Sequence, residues 1–167
     1  MTRAVLPFMP QARSGRILNI SSIGGYRGVA GFGVYSSTKI ALKGWSKALN
    51  DELAPIGIHV TVVEPGYFRT DFLESSSLSV SGNVICDYAE TVGKMHIVAA
   101  SLSHNQHGDP QRLAEVLIAF TDAPNPPVRL SLGSGTVAAI EKKHARDAAI
   151  FSEWRAMSFS TDFAANE

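Results

Sequence analysis

The sequence predicts an α/β protein whose centre is a doubly wound parallel sheet. Two short apolar runs, residues 16–21 and 58–63, have the length and composition of buried strands. Between them, residues 33–54 carry leucines at helical spacing, which provides the helical crossover that neighbouring parallel strands require. Residues 128–132 form a third strand-like run. At 167 residues, the chain is compatible with a single domain that buries a sizeable core.

The chain begins with a segment typical of a helix end rather than of a domain start. Residues 2–9 are expected to be this helix end, and Pro10 with Ser14 and Gly15 is expected to turn the chain into the first strand. Three apolar residues of the strand suit burial on both faces of the sheet, namely Ile17, Leu18 and Ile20.

The long helix at 33–54 has an apolar stripe and a second surface of small residues. Pro55 and Gly57 are predicted to end it, and residues 58–63 then form the next parallel strand, in which we expect His59 to have a structural or partly exposed role rather than a catalytic one. The predicted core stripe consists of Leu42, Trp45, Leu49 and Leu53. The small residues that allow another helix to approach are Ala41, Gly44 and Ala48.

The second half of the chain is predicted to hold an insertion, two further helices and a strand. Residues 70–109 contain serine-rich and other polar stretches around a helix at about 86–101. Asp109 and Pro110 favour a helix start, with proline at the first helical position. After the strand at 128–132, residues 136–157 form one amphipathic helix or two, and residues 158–167 form a polar tail that we expect to fray.

Composition excludes several classes of function. Lys+Arg and Asp+Glu balance at 15 each, so nothing favours binding to nucleic acid or to an anionic membrane. The single cysteine, Cys86, allows no internal disulfide and suits a reducing compartment. No apolar run approaches the roughly 20 residues of a membrane span. We therefore expect a cytoplasmic protein.

Three polar side chains are arranged for proton transfer. Ser22 ends the first strand and precedes a glycine-rich loop, while Tyr35 and Lys39 leave the same face of the following helix, four residues apart. A lysine ammonium nearby favours the phenolate form of a tyrosine, which can then exchange a proton with a substrate oxygen. Ser22 can hydrogen-bond that oxygen and hold it against the tyrosine hydroxyl.

These residues, in this order and at these spacings, resemble the short-chain dehydrogenase/reductase family. The resemblance rests on Asn19-Ile-Ser-Ser22, Tyr35-x-x-x-Lys39 and Pro65-Gly66-Tyr-Phe-Arg-Thr70, and it covers about the first two thirds of the chain strongly. It implies the last three strands of a Rossmann-type fold with flanking helices, and it implies that the insertion at about 70–109 is a variable lid over the substrate. It also implies hydride transfer between a nicotinamide and a small-molecule carbonyl or alcohol, with Tyr35 as the catalytic acid/base.

The same resemblance implies the remaining site residues and the cofactor. Ser22 would orient the substrate oxygen, and Lys39 would bind the nicotinamide ribose while favouring the phenolate. Pro65, Gly66 and Thr70 would lie against NAD or NADP, with the preference undetermined. No metal is implied, and the complete protein is expected to be a homo-oligomer. The glycine-rich turn that receives the pyrophosphate is not found in these residues, so we expect it in a preceding half of the family fold.

Other interpretations remain open at this stage. A catalytically inactive interaction module derived from such an enzyme is one. A hydrolase with Ser22 as nucleophile is another, although the sequence has no Gly-x-Ser-x-Gly elbow. His104 and His107 with Asp109 suggest a metal site, but no second ligand cluster accompanies them. A partly apolar substrate pocket is predicted from Tyr67, Phe68, Phe72, Leu73, Leu78 and Tyr88.

Overall fold

The fold is a three-stranded parallel sheet with helices around it, as the sequence predicts. The computed structural model describes residues 1–79, 81–83 and 85–163. The strands β1 (Gly15–Ile20), β2 (Ile58–Pro65) and β3 (Arg129–Leu132) lie in that order across the sheet. Parallel pairing places Ile17 of β1 opposite Val60 of β2. These bounds agree with the predicted strands to within two residues.

The centre of the core is β2, whose side chains are covered on both faces. Ile58, Val60, Val62 and Val63 are fully buried. Such β-branched residues suit a central parallel strand, because helices or loops cover both of its faces. Around Ile58 and Val60 pack Ile17 of β1 and several residues of the neighbouring helices, namely Leu6, Met9, Leu49, Leu53 and Ile56.

The prediction that β1 is buried on both faces is only partly correct. Ile17 is buried and Leu18 is half-buried, but Ile20 is 47% exposed. Within the described residues β1 pairs with a neighbour on one side only, so less of the molecule covers it. The edge of the sheet is therefore open along this strand.

The N-terminal segment forms two single-turn helices instead of one helix end. Helix α1 spans Thr2–Val5, and α2 spans Met9–Ala12 with a proline in its first turn. The predicted turn at Pro10 is therefore wrong, because proline has no need of an N–H partner in the first turn and is tolerated there. The chain turns instead at Arg13, which adopts a left-handed backbone with φ of 45°.

The long helix α3 spans Gly33–Leu53 and ends as the sequence predicts. A 3₁₀ turn at Ala54–Ile56 contains the predicted proline, and Gly57 follows with φ of 81°. Trp45 is 48% exposed, so its placement in the core stripe is wrong. Buried Ser46 and Leu49 mark the true sheet-facing line, and Trp45 lies about 100° around the helix from Ser46. The predicted small residues Ala41, Gly44 and Ala48 are all exposed.

The insertion is less regular than predicted. Instead of one helix from residue 86, a 3₁₀ turn at Cys86–Tyr88 and a π-helical turn at Ala89–Gly93 precede α4, Lys94–Leu102. Asp109 caps α5, Pro110–Thr121, through hydrogen bonds from the backbone N–H groups of Gln111 and Arg112, which confirms the predicted helix start.

The C-terminal helix is continuous. Helix α6 spans Ser134–Phe159, which decides between one helix and two, and it includes the first residues of the predicted polar tail. Residues 164–167 of that tail lie outside the described residues. Among the helices of the described ranges, none is long and apolar enough to cross a membrane.

Candidate active site

The three predicted proton-transfer residues line one cavity of about 370 Å³. Ser22 comes from the end of β1, whereas Tyr35 and Lys39 come from the first two turns of α3. The cavity lies at the carboxyl ends of β1 and β2, which is where open α/β sheets bind ligands. The geometry therefore brings together the residues that the sequence places thirteen and four positions apart.

Ser22 is held by the turn that follows it. Its Oγ accepts a hydrogen bond of 3.0 Å from the backbone N–H of Gly24, so it caps the short 3₁₀ helix Ile23–Gly25. A Cβ at Gly24 would lie 3.1 Å from Cε1 of Tyr35 and 3.5 Å from the Ser22 Oγ. A side chain at residue 24 would therefore crowd the Tyr35 ring, and glycine avoids this close contact.

Lys39 lies beside Tyr35 on the same face of α3. Its Nζ is 5.7 Å from the centre of the Tyr35 ring and donates a hydrogen bond of 3.0 Å to the backbone carbonyl of Ile20. Tyr35 also has an aromatic neighbour, since the Phe72 ring lies 5.6 Å away, centre to centre. Tyr35 thus has both a cation and an apolar ring nearby.

The predicted cofactor-binding residues after β2 line the same cavity. Pro65, Gly66 and Thr70 are all in its wall. The Thr70 Oγ1 accepts a hydrogen bond of 3.4 Å from the backbone N–H of Phe72 and so caps the 3₁₀ helix Asp71–Leu73. Capping explains the position of this hydroxyl without a ligand, although Thr70 still faces the cavity.

The rest of the wall is largely apolar. Four of the six residues predicted to form a substrate pocket are in it, whereas Leu78 and Tyr88 are not. Sequence reasoning missed the apolar contribution of the glycine-rich loop and of α4. That contribution includes Val29, Phe32, Met95, Val98 and Leu102.

A buried ion cluster, which sequence reasoning missed, lies next to the site. It is centred on Glu64, which directly precedes Pro65 of the cavity wall. Glu64 is 0% exposed, and its carboxylate lies 3.3 Å from Lys43 Nζ and 2.6 Å from Arg129. Ser131 donates a further hydrogen bond of 3.1 Å to it. Burial lowers the pKa of Lys43, and the nearby Glu64 only partly offsets this. For Arg129, burial also acts to lower the pKa, but hydrogen bonding and the charge of Glu64 outweigh it and raise the pKa.

The ring of Tyr26 covers this cluster. Lys43 Nζ lies 3.9 Å from the ring centre, and the Arg129 guanidinium carbon lies 4.6 Å from it. The Tyr26 hydroxyl is hydrogen-bonded to His144 of α6. The cluster consequently connects α3, β2, β3, the glycine-rich loop and α6. One signal was available: an acid at the end of a β-branched strand needs a partner if it is buried.

His104 does not meet His107 and Asp109, so the ligand group suggested by the sequence is not assembled. Its Nε2 lies 2.5 Å from a carboxylate oxygen of Glu74 and 3.9 Å from one of Asp71. The hydrogen bond that the His104 ring donates to the Glu74 carboxylate raises the pKa of His104. In the described part of the chain, these three residues are the group close enough to share a metal ion, and all are solvent-accessible. An ion pair accounts for their proximity.

The sequence of this chain is similar to sequences of known proteins. Residues 1–80 match the family described as short chain dehydrogenase. A relative from Bacteroides thetaiotaomicron, 3-ketodihydrosphingosine reductase, is 37% identical over 134 residues, which is 80% of this chain and 49% of the relative. Oxidoreductase BOA17 of Botryotinia fuckeliana is 34% identical over 96% of this chain and 58% of its own length. The chain thus spans about half the length of the curated relatives it matches.

Solved structures of dehydrogenases also superpose on this chain. A short-chain dehydrogenase from Streptomyces avermitilis superposes with a TM-score of 0.84 and 40% identity, over 97% of this chain and 58% of the other. Serine dehydrogenase in complex with NADP+ superposes with a TM-score of 0.60 and 26% identity, over 79% of this chain and 49% of the other.

Proposed function

The chain belongs to the short-chain dehydrogenase/reductase family, and from that membership we propose that it carries the proton-transfer and substrate-binding elements of an NAD(P)-dependent oxidoreductase. The observation that carries the proposal is the convergence of Ser22, Tyr35 and Lys39 on one largely apolar cavity. Tyr35 gives its hydroxyl proton to the substrate oxygen during carbonyl reduction and takes it back during alcohol oxidation. Ser22 orients that oxygen through its hydroxyl group.

The residues present fit a nicotinamide cofactor. Lys39 offers ammonium hydrogens for ribose hydroxyls, and Thr70 offers a hydroxyl, while Pro65 and Gly66 lie in the same cavity wall. When bound, the cofactor supplies or accepts the hydride. The NADP+ complex of the related serine dehydrogenase supports the use of NAD or NADP and leaves the preference open.

The cavity wall favours a substrate with an apolar body. Aromatic and aliphatic side chains dominate the lining around Tyr35, and none of the acidic residues that the structure describes contributes to it. The relative named for 3-ketodihydrosphingosine, a ketone with a long alkyl chain, supports the same substrate class. A hydrolase is less well supported, because the Ser22 Oγ has the Gly24 N–H as its hydrogen-bond partner in the described ranges and no histidine lines this cavity.

The test of the reaction is substitution of Tyr35. We expect Tyr35→Phe to lower kcat/KM about 10²- to 10⁴-fold, because the ring packing stays and the transferable proton is lost. Lys39→Met should also be severe, and Ser22→Ala should lose less because it removes an orienting bond. The matched control is Tyr88→Phe, which removes a hydroxyl from an exposed tyrosine outside the cavity. Normal turnover in Tyr35→Phe would show that Tyr35 does not exchange the proton with the substrate oxygen.

Cofactor titration separates an enzyme from an interaction module. Binding of NAD(P) should stabilise the protein against unfolding in proportion to cofactor concentration. If the protein binds a ligand but is neither stabilised by NAD(P) nor able to turn over a substrate, the catalytically inactive interaction module is favoured instead.

We also propose that the protein forms a homo-oligomer in which a second copy packs on the exposed small residues of α3, since these residues permit close helix approach.

A further inference from the structure

A second cavity of about 580 Å³ lies against the one that holds Tyr35. The two share eight lining residues, Ile23, Arg27, Phe68 and Gln106 among them, so the cavities adjoin one another. Each volume is within the range of sites that hold small organic ligands. A substrate that reacts at Tyr35 therefore has space to continue past the shared residues into the second cavity.

The second cavity, like the first, has two cationic side chains in its wall, and Arg27 is one of them in both. In the second cavity the other cation is Arg112, and Asp109 is the one acid that the described residues contribute. That acid is already engaged, because Oδ1 caps α5 and Oδ2 lies 3.6 Å from Arg112 Nε. The Arg27 side chain makes no hydrogen bond or ion pair within the described ranges, and it lines both cavities. An unpaired guanidinium is therefore available to a ligand at the junction.

The N-terminus of α6, a helix of 26 residues, forms part of the wall of the second cavity. The partial positive charge at such a helix start favours an anion. An independent feature points the same way. Thr136, 2% exposed and in the first turn of α6, has an Oγ1 with no hydrogen-bond partner among the described residues. Its hydroxyl can donate to an acceptor in the cavity whose wall it forms.

We propose that the site takes a carbonyl or alcohol substrate whose apolar body ends in an anionic group. The reacting carbon lies at Tyr35, and the anionic group lies in the second cavity, held by Arg27, Arg112 and the start of α6. This rests on the oxidoreductase function proposed above, which supplies the reacting end. Arg27 sets the specificity, because it is the cation that both cavities share.

The experiment compares two probes of equal chain length, 9-oxodecanoate and 2-decanone, by calorimetric binding and by turnover with NADPH and NADH. A charge-assisted hydrogen bond contributes enough for the keto acid to bind about tenfold more tightly than the ketone. Arg27→Met should remove most of that ratio, and added salt should weaken it. The control is Arg146→Met, which changes an exposed arginine outside both cavities and should leave the ratio unchanged.

The outcomes separate the two proposals. A preference for the acid that depends on Arg27, seen by calorimetry without any turnover, supports the anionic subsite and counts against the redox function. Turnover of both probes with equal affinity overturns the subsite and leaves the redox function in place. An equal loss of affinity for both probes in Arg27→Met also overturns the subsite. So does a folded protein that binds neither probe.

Discussion

The buried carboxylate of Glu64 should be one of the most sensitive positions for stability. It is fully buried at the end of β2 and faces two cations at 3.3 Å and 2.6 Å. Glu64→Gln keeps the shape and leaves Lys43 and Arg129 without their counter-charge. Removing one partner of a buried ion pair costs about 3–5 kcal/mol. The two cations have side chains that are 18% and 29% exposed, so solvent offsets part of the loss and the lower end, about 3 kcal/mol, applies.

That loss should be visible in thermal and urea unfolding. For a chain of this size, each kcal/mol shifts Tm by about 2–4 °C, so Glu64→Gln should lower Tm by roughly 6–12 °C. Lys43→Met should cost less, since Arg129 and Ser131 still satisfy the carboxylate. The matched control is Glu141→Gln on the exposed side of α6, which should change stability by no more than about 0.5 kcal/mol. A loss below about 1 kcal/mol in Glu64→Gln would refute the reasoning.

Three further predictions follow from particular contacts. Because Glu74 raises the pKa of His104 above the usual 6.5, their ion pair should stabilise the fold at pH values below about 6.5 and weaken as pH rises through the raised value. An NMR titration should find that Glu74→Gln returns this pKa towards 6.5, and an unchanged value would exclude the pairing. A Cβ at Gly66 would lie directly against Thr136 Oγ1, so Gly66→Ala should destabilise by about 1–3 kcal/mol in urea unfolding. Gly44→Ala, with open space around it, should not destabilise; equal losses would refute the contact. The open edge of β1 should make the 167-residue chain associate with increasing concentration, and a monomer at all concentrations in light scattering would contradict this.

Features that depend on neighbouring residues could be predicted from the sequence. The start of α5 is one, because Asp109 caps the two N–H groups that follow it and proline suits the first helical position. The end of α3 is another, since Pro55 and Gly57 act on their own backbone. The parallel strands follow from β-branched runs separated by a long helix. The spacing of Ser22, Tyr35 and Lys39 likewise predicted that their side chains lie close together. Ser22 follows the end of one strand, and Tyr35 and Lys39 share one face of the next helix.

Only the tertiary structure decided which side chains meet across long separations. The partners of His104 lie about thirty residues earlier in the chain, at Asp71 and Glu74, and no local pattern links them. Glu64 meets cations from α3 and β3, and the second cavity joins the glycine-rich loop to the start of α6. Burial of β1 was overestimated for a related reason. An apolar strand sequence indicates which residues could be buried. Whether they are buried depends on how many strands and helices cover that strand in the folded sheet.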